Sequence, residues 1–215
     1  LAAERVDKYI ANSQIVKHRI NKYYNQDSDI IHPPVEAQKF YISKPQDYFL
    51  AGGRLVPYKR FDLIIDAFNR LGRKLKIYGD GPELKALKAR AKSNIEFLGR
   101  VSDEEIAKLY SEALSFINPQ EEDFGITVIE AMASGRPVIA YRAGGATETV
   151  IEGETGTFFD YQNWEDLADA IVRFKSEDYN PEKIRAHALN FDKEVFKNKI
   201  KNYVEDQYQT FNNIN

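Results

Sequence analysis

Two glutamates, Glu122 and Glu130, stand with seven residues between them in the stretch INPQEEDFGITVIEAMASGRPV, Ile117 to Val138. An Asp-Phe-Gly turn follows the first, and a helix opens beneath the second. Gly125 has no Cβ, so a ligand can approach the backbone closely there. The amides of Phe124, Gly125, Ile126 and Thr127 surround the helix start, where unpaired N–H groups and the helix dipole favour oxygen-rich, negative groups. Glu130 lies one turn into the helix, and an ionised carboxylate accepts hydrogen bonds from two neighbouring hydroxyls at once. Two carboxylates beside exposed amides suit a polyhydroxylated ligand that carries phosphate. Charge and position alone are equally compatible with plainer roles: Glu130 as support for a first helical turn, Glu122 as a solvated loop acid.

A second constellation is Gly52-Gly53-Arg54-Leu55-Val56-Pro57-Tyr58-Lys59-Arg60. The paired glycines allow a tight turn with accessible backbone. Arg54 and Lys59 then face one loop mouth, a guanidinium fork and a point charge suited to phosphate. They are also two bases among thirty, so a surface role is open on composition alone. Gly79-Asp80-Gly81-Pro82-Glu83-Leu84 places Gly-x-Gly after a strand, but Leu84 stands at the third glycine position and Pro82 intrudes. It is a weak dinucleotide fingerprint. Gly144-Gly145 reads either as an amide nest or as a simple turn.

Strands and helices that would position these loops alternate along the chain. Val6–Ala11 reads as a strand, followed by a helix capped by Asn12 or Ser13, with Ile15, Val16, Ile20 and Tyr23 at helical spacing. Short apolar runs at Tyr48–Ala51, Leu75–Tyr78, Ile95–Leu98, Leu114–Ile117, Pro137–Tyr141 and Thr157–Phe159 read as buried strands. Amphipathic runs follow at Leu63–Leu71, Thr127–Ala133, Trp164–Phe174 and Phe191–Tyr208, and Ser102 with Glu105 forms a capping box. This alternation predicts an α/β fold, a Rossmann-like, doubly wound parallel sheet covered on both faces. Ligands of such sheets sit outside the carboxyl ends of the strands.

The chain of 215 residues, 43% hydrophobic, is long enough for one domain with an attached piece. A formal charge of −3 offers no basic face for nucleic acid and no polybasic tract for a membrane. The absence of cysteine excludes disulfides, thiolate nucleophiles and cysteine-based zinc sites. The three histidines, His18, His32 and His187, are scattered without metal-ligand spacing. The chain begins with Leu1, which points to a segment of a longer protein.

The central stretch resembles the glutamate, seven-residue, glutamate signature of the family 4 retaining glycosyltransferases, which have the GT-B fold. Pro119, Glu122, Phe124, Gly125, Glu130, Ala131, Met132, Ala133, Gly135, Pro137 and Val138 all fall in register with it. The run GRLVPYKRFDLIIDAF resembles the same family's diphosphate loop. The resemblance implies the donor-binding, C-terminal half of a GT-B enzyme. Residues 1–34 would be a remnant of the N-terminal domain and a linker through Pro33-Pro34. Residues 35–215 would form the sugar-nucleotide domain, its final helix crossing back toward the missing domain.

The resemblance also implies residue roles: Glu130 on the ribose, Arg54 and Lys59 on the diphosphate beside Gly53, Glu122 with the amides of Phe124, Gly125 and Ile126 on the sugar, and the backbone near Arg100 and Val101 on the base. Thr127 belongs to the same donor set, and Arg54, Lys59 and Glu122 to the catalytic one. No cofactor or metal is implied. The donor would be a nucleotide sugar, GDP-mannose before UDP-sugars, by likeness to mannosyltransferases of surface-polysaccharide synthesis. The acceptor, a glycan or a lipid-linked glycan, would bind through the other half. A cytoplasmic place, at the inner face of the membrane, follows from the same likeness. Nucleotide-sugar 2-epimerases and non-catalytic nucleotide-binding domains are the alternatives, and these residues alone would have little transferase activity.

Overall fold

The computed structural model describes residues 5–214. Its main sheet has six parallel strands: β3 (Phe49–Gly52), β4 (Leu75–Tyr78), β5 (Ile95–Gly99), β6 (Phe116–Asn118), β7 (Val138–Tyr141) and β8 (Gly156–Phe159). They lie in the order β5-β4-β3-β6-β7-β8. Successive side chains point to opposite faces. Phe49 and Ala51 therefore enter one core and Leu50 the other, and all three are fully buried. That is why these strands read as unbroken apolar runs rather than as alternating ones.

Helices cover both faces. On one side α2 (Phe61–Leu71), α3 (Leu84–Arg90) and α7 (Trp164–Arg173) pack on Phe49, Ile77, Ile117 and Ile139. On the other, α4 (Asp103–Glu112), α5 (Ile126–Ala133) and α8 (Pro181–Ala188) pack on Leu50, Phe116 and Val138. Ser102 caps α4 by accepting the Glu105 N–H at 3.2 Å, and Asn163 and Asn180 cap α7 and α8 in the same way. The sequence pattern does not single out α8. Its signals are the Asn180 cap and Pro181 in the first turn, but only Ile184 and Ala188 of its residues are buried. The helix after Gly144-Gly145, α6 (Ala146–Thr149), is a single turn.

Residues 10–30 form a separate β–α–β piece. β1 (Ile10–Ala11) pairs in parallel with β2 (Asp29–Ile30), and α1 (Gln14–Tyr24) lies between them in sequence. The strand expected over Val6–Ala11 is only two residues long because β2 offers a ladder of only two residues. Val6, outside that ladder, is 45% exposed. The chain then crosses to the main sheet through Pro33-Pro34 and returns near Asp192, where Val35 and Asp192 form a bridge. The last helix, α9 (Lys193–Ile214), runs back past β2, where burial and, after it, Asp29 push the Tyr203 phenol pKa up. Val204, Tyr208 and Phe211 on α9 and Tyr23 and Tyr24 on α1 are exposed.

Ser13, not Asn12, caps α1, its Oγ accepting the Val16 N–H at 3.3 Å from a fully buried position. Ser13→Ala is expected to destabilise the protein by about 1 kcal/mol, the ordinary value of an N-cap. Chemical denaturation reads this as a lower midpoint at unchanged slope; an unmoved midpoint would show that the cap contributes nothing.

Candidate functional site

The strand order reverses between β3 and β6, and the loops that leave their carboxyl ends meet there. The first loop, after β3, carries Gly53, Arg54 and Lys59. Gly53 has φ +128°, a conformation open to glycine, and a Cβ there would stand 3.3 Å from Lys59 Nζ. Gly79, on the neighbouring turn, has φ +110°, and a Cβ on it would collide with the Gly53 carbonyl oxygen. Leu55 N–H donates to the Asp80 carbonyl at 2.9 Å and Gly53 N–H to that of Tyr78 at 3.2 Å. The Gly-Asp-Gly turn thus shapes the backbone of the loop that holds the cations.

The second loop, after β6, carries Glu122. Asn118 Nδ2 donates to the Gln120 carbonyl at 3.3 Å, and Gln120 Nε2 donates to Glu122 Oε1 at 3.2 Å. Gln162 Nε2 holds the Pro119 carbonyl at 2.9 Å. The two loops join in one ion pair, Lys59 Nζ to Glu122 Oε1 at 2.6 Å, with side chains only 12% and 19% exposed. A lysine and a glutamate far apart in sequence are held together because β3 and β6 are sheet neighbours. Arg54, next in sequence to Gly53, is exposed and has no salt bridge or side-chain hydrogen bond among the described residues.

An open cleft of about 560 Å³ lies over this pair. Its walls include Lys59, Glu122, Phe124, Gly125, Ile126 and Thr127, six of the residues expected from sequence. Gly125 is the N-cap of α5, with φ +88°. A Cβ would meet nothing nearer than Val128 Cγ2 at 3.5 Å, so the dihedral rather than crowding makes glycine fit here. The amides of Ile126 and Thr127, in the first turn of α5, have no intrahelical acceptor. Thr127 Oγ1 is buried without a hydrogen-bond partner. Gly144-Gly145 closes the loop from behind. Gly145 N–H donates to the Glu122 carbonyl at 2.8 Å, and a Cβ at Gly145 would overlap the Phe124 backbone. The pair is a close-packed turn rather than a phosphate nest.

Glu130 is set apart from Glu122. It lines an adjoining cavity of about 250 Å³ with Glu36, Lys39, Phe40, Asp103 and Ile106, and Ile126 borders both spaces. Burial raises its carboxyl pKa from 4.5 to about 7, against the hydrogen bond that Tyr110 Oη donates to its Oε2 at 3.3 Å. Tyr110 Oη in turn lies 2.6 Å from Tyr78 Oη, and burial pushes both phenol pKa values well up. Val101 packs on the core beside Ile106 and lines neither space. Arg100 reaches out to Asp80 at 3.3 Å with 85% of its side chain exposed, the solvated reading of that residue.

Sequence reasoning missed Tyr110, which as an apolar-face residue of α4 reads as core. It also missed Asn12 and Pro33 on the cleft wall and Lys39 and Asp103 at the second cavity. Of these only Lys39, a charge shortly after the linker, carried a signal in the sequence. Among the described residues no group of three or more His, Cys, Asp or Glu is placed to hold a metal ion, and no helix is long and apolar enough to cross a membrane.

Comparison with known proteins identifies relatives of this chain. An uncharacterized glycosyltransferase of Methanocaldococcus jannaschii is 31% identical over 176 residues, 80% of this chain and 50% of that protein. The O-antigen chain mannosyltransferase RfbU of Salmonella typhimurium is 31% identical over 199 residues, 82% of this chain and 56% of that protein. The chain therefore spans about half the length of these relatives. Among solved structures, Anabaena HepE in complex with UDP and glucose superposes with a TM-score of 0.83 at 22% identity, covering 95% of this chain and 64% of that one. Its likeness bears on the fold alone. The sequence profile of the glycosyl transferases of group 1 matches residues 34–191, and with this extent of match the chain belongs to that family and shares the fold of the GT-B glycosyltransferases.

Proposed function

We propose that this chain is the donor-binding half of a retaining glycosyltransferase that moves a hexose from a nucleotide diphosphate sugar to a glycan or lipid-linked acceptor. The observation that carries this is the joining of two loops at the strand-order reversal: Lys59 and Glu122 meet at 2.6 Å next to the open N-terminus of α5, and the exposed Arg54 stands on the same loop as Lys59. Arg54 and Lys59 would hold the diphosphate. Glu130 would accept the ribose hydroxyls in the adjoining cavity. Glu122, with the amides of the Phe124–Thr127 turn, would hold the sugar hydroxyls, and the orphan Thr127 Oγ1 has the chemistry to join them.

Departure of the sugar builds positive charge on its ring and negative charge on the leaving phosphate. Cations fixed beside that phosphate stabilise the transition state more than the ground state. They do so without a metal ion, so added chelator should leave binding unchanged. Mannose from GDP-mannose is the favoured donor, on the strength of the mannosyltransferase relative, with UDP-sugars second. The acceptor would bind in the remainder of the enzyme, in the cytoplasm at the inner face of the membrane.

Calorimetric titration with GDP-mannose, UDP-glucose, GDP, UDP and NAD tests this reading. Binding of one sugar nucleotide, abolished by Glu130→Ala, supports it; binding of NAD alone overturns it. Conversion of free sugar nucleotide without acceptor by the full-length enzyme would point instead to an epimerase.

Glu122→Gln separates positioning from binding. The amide carries no charge to neutralise Lys59, whose full charge is then available to the diphosphate, while the sugar loses its charged acceptor. Turnover of the full-length enzyme is expected to fall at least about tenfold, the loss of one charged hydrogen bond. Affinity for the bare nucleotide diphosphate should hold or rise. Equal losses in both would remove Glu122 from the sugar.

A further inference from the structure

The Glu122 loop is gripped from outside by residues of α1 and of the two chain crossings. Arg19 Nη1, on α1, donates to Asp123 Oδ1 at 2.6 Å. His32, in the crossing toward the main sheet, stacks on Phe124 with ring centres 5.3 Å apart and planes at 25°. Phe191, in the crossing toward α9, tilts onto both rings, at 5.3 Å from His32 and 5.7 Å from Phe124. The two crossings are tied to each other, since Val35 N–H donates to the Phe191 carbonyl at 3.1 Å and Lys193 N–H to the Val35 carbonyl at 2.9 Å. Glu148 completes the grip. One of its oxygens accepts the Gln14 N–H at 2.8 Å, and the other lies 3.5 Å from His32 Nε2.

Phe124 is thus the point where the β–α–β piece, both crossings and the loop after β6 converge. Glu122 lies two residues before it and the N-cap of α5 one residue after. Ring pairs and charged hydrogen bonds of this kind are directional, so a shift of His32 or Arg19 moves Asp123 and Phe124 with it. The loop has few other supports on its outer side, where Glu121 and Asp123 are exposed.

We propose that Arg19 and His32 are positioning residues for Glu122: they clasp Asp123 and Phe124, and so couple the placement of the β–α–β piece to the geometry of the sugar end of the cleft. The functional part of this proposal rests on the reading that the Glu122 loop holds the donor sugar. Neither residue lines the cleft, and both act through the loop.

The test uses the intact protein and two readouts. The first is amide hydrogen exchange without ligand. Arg19→Ala and His32→Ala are expected to speed exchange over residues 119–127 by about fivefold, as loss of one ring pair or charged hydrogen bond implies. Exchange in β3 and β7 should stay unchanged. His32→Phe keeps the ring stack and should restore protection. Unchanged exchange over 119–127 in both alanine variants, or faster exchange throughout the sheet with no rescue by phenylalanine, overturns the clasp. The second readout is the affinity for a sugar nucleotide relative to its bare nucleotide diphosphate. The alanine variants should lose the preference for the sugar form while keeping affinity for the diphosphate. An unchanged preference overturns the coupling to the sugar. If the unsubstituted protein binds no sugar nucleotide at all, the donor reading fails, and the exchange experiment alone decides whether the clasp exists.

Discussion

Arg54→Ala is expected to weaken binding of the nucleotide diphosphate sugar ten- to a hundredfold. A hydrogen bond to a charged group is worth roughly 1.5–3 kcal/mol, and each 1.4 kcal/mol is about tenfold in affinity. The variant is clean for a structural reason. Arg54 is exposed and unpaired among the described residues, so its truncation leaves no buried partner behind. Stability should stay within about 0.5 kcal/mol, the usual span for a surface change. Lys59 offers no such clean test, because its loss would strand the poorly exposed carboxylate of Glu122. Arg54→Lys keeps the charge but not the planar fork, and should fall between alanine and the parent. Calorimetry with the preferred donor, beside a thermal melt, measures both quantities. A loss below about twofold, where no charged hydrogen bond has gone missing, would place Arg54 outside the site.

The main sheet was legible in the sequence because parallel strands buried on both faces leave short apolar runs, closed by Gly-Gly, Gly-Asp or Asn-Pro. Leu75–Tyr78 matches β4 residue for residue, and the other runs shift by a residue or two at their ends. What the sequence hid depends on partners. The length of β1 is set by the two residues of β2 that face it, not by the apolar character of Val6. The site divides in the same way. Gly125, Ile126 and Thr127 are local to one helix start, and a pattern can show them. The contact of Lys59 with Glu122 exists only because β3 lies beside β6, which no local pattern states. Glu130 and Glu122 appear as a pair in sequence, yet the fold turns them into two adjoining spaces. The β–α–β piece supplies Asn12, the linker Pro33 and the turn that follows it Lys39 to the cleft and cavity walls only once the crossing has been made.

Affinity for the sugar nucleotide is expected to rise as pH increases from 6 to 8. Five of the eight residues of α5 are buried, and burial lifts the Glu130 carboxyl to about 7. Asp103 adds to the rise, while the Tyr110 hydroxyl and Lys39 oppose it. A protonated carboxyl cannot accept from two ribose hydroxyls with full strength, so the ionised form is the binding form. With a midpoint near 7, about one-tenth of the sites are ionised at pH 6 and about nine-tenths at pH 8, which gives a rise of up to about tenfold. The diphosphate of a sugar nucleotide is fully ionised across this window, so the slope belongs to the protein. Glu130→Gln should flatten it. Tyr110→Phe removes the hydrogen bond that favours the ionised form and should move the midpoint upward, because burial then acts with less opposition. Stability of the unliganded protein runs the other way. The folded state keeps a proton that the unfolded chain releases above its ordinary value of 4.5, so stability falls as pH rises from there to about 7 and levels off beyond it. The fall is at most about 3 kcal/mol for this group alone. If Glu130 holds the ribose, donor binding and folding ask opposite protonation states of one carboxylate. A site that selected its carboxylate for stability alone would show no such conflict, and a flat pH profile of affinity in the unsubstituted protein would assign Glu130 to that simpler role.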